Sequence, residues 1–88
     1  MKDRFDEIRR EITANDETIV AAVNRRIALV TELWQLKDAL GYDTVDPDRE
    51  RLLRAHLAAE SAGPLSPEGL DRLVTDLLDL TKKELGGP

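Results

Sequence analysis

Between Arg4 and Leu40 the chain runs thirty-seven residues without a glycine or proline. Apolar side chains recur there at helical spacing: Phe5, Ile8, Ile12, Ile19, Val23, Val30, Leu33 and Leu40. Steps of three, four and seven put them on one face of a single long helix. The same register carries three polar residues, Asn15, Arg26 and Lys37, onto that face. A cation on a core-facing stripe is costly to desolvate unless something pairs it. Arg26 and Lys37, about three turns apart, therefore suggest a buried anion site. The competing reading has Arg26 and Lys37 snorkelling out of a dimer seam, with Arg49 and Glu50 as solvated charges of a helix start. Periodicity alone leaves both open.

The punctuation predicts two further helices. Gly41 follows Leu40 as a left-handed C-cap. Asp46-Pro47 is an N-cap carboxylate followed by proline at the first helical position, opening a second helix from Pro47 to about Ser61. Its inner side is read as Leu52, Leu53, His56 and Leu57. After Ala62-Gly63-Pro64, Ser66-Pro67-Glu68 repeats the start signal. The third helix carries Leu70, Leu73, Val74, Leu77, Leu78 and Leu80 and fades at Leu85-Gly86-Gly87-Pro88. The two shorter helices together match the long one at roughly 50 Å, which predicts one long helix backed by two short ones. The fold class is all-α, within a single domain over 1–88. A helix of roughly 55 Å outruns a compact domain of this length, whose radius of gyration would be near ~12 Å. The expectation is an intertwined homodimer.

Composition narrows the chemistry. A net charge of −5 gives no basic face for nucleic acid or an acidic membrane, and neither partner is expected. No cysteine is present, so disulfides and thiolate sites are excluded. There is no signal-peptide core or membrane-length apolar run, and a cytoplasmic location is the default. The single histidine, His56, reads as structural, and no metal-ligand spacing, phosphate loop or nucleophile elbow occurs. No metal or cofactor is expected. The remaining constellation is Arg9, Arg26, Lys37, Asp46, Arg49 and Glu50. Such a set of cations with two carboxylates suits a small dianion bearing hydroxyls, since arginine grips carboxylates bidentately and lysine offers a mobile point charge.

The segments Ile8-Arg9-Arg10-Glu11-Ile12, Asn24-Arg25-Arg26, Leu36-Lys37, Asp46-Pro47-Asp48-Arg49-Glu50-Arg51 and Leu65-Ser66-Pro67-Glu68 follow one another in this order along the chain. In this the chain resembles the all-helical (AroQ) class of chorismate mutases. The resemblance implies an isomerase that rearranges chorismate to prephenate on the route to phenylalanine and tyrosine. It also implies a homodimer in which Arg9, with Arg10 the competing choice, reaches in from the partner chain. Arg9 and Arg26 would bind the substrate carboxylates, and Lys37 a carboxylate and the ether oxygen. Asp46 and Glu50 would face the ring hydroxyl, with Arg49 supporting the carboxylate network and Thr81 matching a small hydroxyl position. The chain departs from the family near the end of the third helix, where a Gln or Glu usually meets the ether oxygen. The matching residue is Leu85, with Glu84 one step before it. That implies weak activity alone and an activating shikimate-pathway enzyme as a possible partner. Sibling enzymes acting on isochorismate or the 4-amino analogue would share these residues, and a non-catalytic helical dimerisation or partner-binding module is the alternative from another class.

Overall fold

The structure, a computed structural model, describes residues 2–86. Helix α1 spans Lys2–Leu40, α2 Pro47–Glu60 and α3 Pro67–Glu84. The boundaries follow the local chemistry. Gly41 takes φ +73°, and the amides of Gly41 and Tyr42 donate to the carbonyls of Asp38 and Lys37 at 3.2 and 2.8 Å. This paired closure satisfies carbonyls that the last turn of α1 would otherwise leave free. The Asp46 carboxylate accepts from the Arg49 amide at 3.1 Å, and Ser66 Oγ accepts from the Gly69 amide at 3.0 Å. Each such cap contributes about 1 kcal/mol.

Packing departs from the arrangement expected of one long helix backed along its length. α3 packs on both α1 and α2, while α2 packs on α3 rather than on α1. Val74, 2% exposed, is the buried apolar centre of α3, with Leu70, Leu77 and Leu78 half-buried around it. On α2 the inward residues are Glu50, Leu53, Arg54 and Leu57, whereas Leu52 and His56, read as inner, are exposed. With Leu53 and Leu57 turned inward, Arg54 faces α3, where its Nη1 reaches the Asp71 carboxylate at 2.8 Å and the Asp71 carbonyl at 3.3 Å.

α1 is covered over part of its length only. Val23, Arg26, Ile27, Val30, Trp34 and Lys37 are half-buried, all in its second half. In the first half Phe5, Ile8, Ile12, Ile19 and Val20 stand 42–59% exposed. The chain measures 59 × 23 × 19 Å with a radius of gyration of 16.6 Å, well above the ~12 Å of a compact domain this size. Its accessible surface is 7263 Å² for 9.9 kDa, against about 5,200 Å² for a folded monomer of that mass. A single chain thus exposes roughly 2,000 Å² more than a self-contained domain would.

Candidate active site

Where α1, α3 and the start of α2 converge they leave a cleft. Arg26, Val30, Leu33, Trp34 and Lys37 line it from α1, and Leu78, Thr81 and Lys82 from α3. Thr44 and Asp46 line it from the connecting loop, and Arg49, Glu50 and Leu53 from α2. It is open to solvent on one side and has a cavity volume of ≈ 160 Å³. Apolar walls of Val30, Leu33, Trp34, Leu53 and Leu78 surround a charged lining, so local electrostatics are stronger than in bulk water.

Arg26 turns inward because its register on α1 faces α3. Its Nη1 donates to Thr81 Oγ1, and Thr81, 5% exposed, donates its own proton to the Leu77 carbonyl at 2.7 Å. With that proton committed, the Thr81 oxygen can only accept, which orients it toward a guanidinium. Lys37 Nζ donates to the Thr44 carbonyl at 3.3 Å, tying the end of α1 to the loop that carries Asp46. Arg49 follows the Asp46 cap in the first turn of α2. Glu50 pairs with Lys82 of α3 at 3.1 Å.

The charge count on this lining is decisive. Four cations (Arg26, Lys37, Arg49, Lys82) face two carboxylates (Asp46, Glu50), a balance of +2, inside a chain whose total is −5. Glu50 is taken by Lys82. Among the described residues, no carboxylate lies within 4.0 Å of Arg26, Lys37 or Arg49. Three converging cations without a protein counter-ion form a receptor for an external dianion. Among the described residues no group of three or more His, Asp or Glu is placed to hold a metal, and no helix is long and apolar enough to cross a membrane.

Of the nine residues singled out in the sequence, six line the cleft: Arg26, Lys37, Asp46, Arg49, Glu50 and Thr81. Arg9 does not. It sits on the exposed half of α1 with its guanidinium 5.5 Å from the Phe5 ring, seventeen residues and about 26 Å of helix from Arg26. Glu84 and Leu85 lie about one turn past Thr81, outside the lining, with Glu84 exposed and Leu85 half-buried at the C-cap. Of the tail after Leu85, Gly87 and Pro88 lie outside the described residues. Sequence reasoning missed Lys82 and Trp34. The signal for Lys82 was the one that exposed Arg26 and Lys37, a cation in register with apolar residues, here Leu78 four positions before it. Trp34 needed only a wider stripe, one that took the i+4 neighbours of Val23 and Val30.

A three-helix scaffold holding a cation-rich cleft defines a class that works by gripping a small anion in a fixed shape. The chain belongs to the chorismate mutase type II family, whose model matches residues 8–84. Its fold is similar to the solved structure of chorismate mutase (Form I) from Thermus thermophilus, with a TM-score of 0.86 and 29% sequence identity. That match covers 89% of this chain and 98% of the Thermus chain. No curated protein matches the chain. Membership makes this an isomerase of the all-helical chorismate mutase kind, and among the readings offered by its residues the mutase is favoured over the sibling lyase and the 4-amino mutase.

Proposed function

We propose that the cleft rearranges chorismate to prephenate, with Arg26, Lys37 and Arg49 gripping the substrate dianion. The observation that carries this assignment of roles is the +2 lining, with three cations lacking counter-ions. The reaction is unimolecular: a carbon–oxygen bond breaks while a carbon–carbon bond forms, with no proton transfer and no covalent intermediate. The protein has two tasks. It holds the flexible enolpyruvyl arm folded over the ring, which is a positioning effect, and it stabilises negative charge growing on the ether oxygen.

Arg26 binds a carboxylate with its guanidinium fixed from behind by Thr81. Lys37, on the same face of α1, meets a carboxylate and the ether oxygen. Arg49 supports the carboxylate network from the first turn of α2, while Asp46 and Glu50 face the ring hydroxyl. Thr81 acts through Arg26. Leu85, about one turn past Thr81 and outside the lining, stands where a Gln or Glu would meet the ether oxygen, and leucine offers no hydrogen bond. The missing bond, about 1.5–3 kcal/mol if charge-assisted, makes the chain alone a slow catalyst, one whose helix-three tail an enzyme of the same pathway could order.

The unit that works is a homodimer. The bare first half of α1 and the roughly 2,000 Å² of surplus surface support burial against a second copy, since obligate homodimer interfaces run from about 2,000 Å² upward in total. Arg9, which cannot span about 26 Å to its own cleft, is the arginine supplied to the partner's cleft.

Purified protein incubated with chorismate should produce prephenate, followed chromatographically. Lys37→Ala should lower kcat/KM by about a thousand-fold, the loss of a charge worth ~4 kcal/mol at the transition state, with circular dichroism unchanged. Chorismate left unconsumed by the wild-type protein would overturn the reading.

A further inference from the structure

Among the described residues, Lys82 is the one cation of the cleft lining paired with a carboxylate. It stands next to Thr81 on α3, and its Nζ lies 3.1 Å from Glu50 Oε1 across the gap between α3 and α2. Both side chains are about three-quarters buried, at 26% and 28% exposure. The pair is therefore screened less by solvent than the ion pairs of the outer faces, such as Arg51–Asp48 at 74% and 79%.

Its place in the cleft gives it a consequence for selectivity. On the reading above, on which this inference rests, Glu50 and Asp46 meet the substituent at position 4 of the substrate ring. A free carboxylate at Glu50 would accept from a hydroxyl or an ammonium, and by charge would favour the ammonium. Lys82 cancels that charge. The Glu50 end of the cleft still offers lone pairs to a hydroxyl proton, but confronts an ammonium with a cation beside it.

We infer that Lys82 is a specificity-determining residue: by neutralising Glu50 it makes the cleft select a ring hydroxyl over a ring amine. Selection works through the unfavourable element set against the wrong ligand as much as through attraction for the right one. Lys82 thus sets the preference by acting through Glu50.

The test compares the wild-type protein with Lys82→Met and Lys82→Arg. For each, KM for chorismate is measured together with the inhibition constant of 4-amino-4-deoxychorismate against chorismate turnover, at neutral pH and low salt. The ratio of the two constants reports selectivity independently of the overall rate. In Lys82→Met the ratio should move toward the amino compound by about ten-fold, and in Lys82→Arg, which keeps the ion pair, it should stay at the wild-type value. Lys82→Gln gives the same reading should methionine at this position disturb folding. A ratio within about two-fold of wild type in both the Met and Gln proteins overturns the inference while leaving chorismate turnover, and so the proposed function, standing. A wild-type protein inert toward chorismate would overturn the function itself and this inference with it.

Discussion

The two halves of α1 are written in the same pattern and end in different surroundings. From Val23 to Lys37 the helix lies against α3 and its inward face is half-buried. From Phe5 to Val20 the apolar residues on the same continuous helix are exposed. Nothing in the spacing separates Ile8 and Ile12 from Val23 and Val30. The difference lies in what arrives later in the chain: α3 has length for one half only, because its eighteen residues cover about 27 Å of a helix more than twice as long. An amphipathic stripe thus states that a face must be covered, not by what. The covered half builds the cleft, and the bare half leaves its apolar stripe exposed.

Three experiments would break or sharpen that contrast. The largest effect is expected from charging the bare half. Ile8→Asp with Ile12→Asp should convert a dimer to monomers by sedimentation equilibrium and abolish nearly all turnover, since two carboxylates would be buried without partners at several kcal/mol each. A dimer that survives this pair of changes would place the interface elsewhere. Next comes the division of labour between the halves. Arg9→Ala should reduce kcat/KM by about a hundred-fold with the dimer intact, the loss of one charge-assisted carboxylate contact. Mixing it with Lys37→Ala and allowing subunits to exchange should restore about a quarter of wild-type activity. Half of the randomly paired dimers are then mixed, and each mixed dimer has one complete cleft. No recovery on mixing would mean that Arg9 does not serve the partner's cleft. The smallest effect concerns the far end of the covered half. A long side chain at a helix C-terminus lies back over the preceding turn, so Leu85→Gln should direct an amide toward Thr81 and Lys82. An increase in kcat of about ten-fold is expected from one added hydrogen bond; an unchanged rate would show that no contact is missing there.

Helix positions were legible in the sequence because they rest on local chemistry. Asp46-Pro47, Ser66-Pro67 and Gly41 act on their own neighbours, and the structure uses each as a cap. Five of the cleft residues were legible for a related reason: Arg26 and Lys37 share a face of one helix, and the short loop after Leu40 brings Asp46, Arg49 and Glu50 back over them; Thr81 was legible only through the family resemblance. What escaped depends on contacts between helices. The roll of α2 that exposes Leu52 and His56 depends on how α2 meets α3, where Leu53 and Leu57 turn inward and Arg54 meets Asp71, seventeen residues away. Pairing of Lys82 with Glu50 requires α2 and α3 to lie side by side, which no periodicity within either helix encodes.

The unbroken run of α1 from Lys2 to Leu40 also makes it a ruler with a phase. Arg9 and Arg26 are held at one separation and one angle, since neither glycine nor proline interrupts the rod between them. A single residue inserted between positions 10 and 25 would swing Arg9 by about 100° and lengthen the gap by only ~1.5 Å. Seven inserted residues would restore its direction nearly in full while displacing it by about 10 Å. Angular error and axial error can therefore be introduced separately in this molecule, and the tolerance of turnover to each can be read from two insertions.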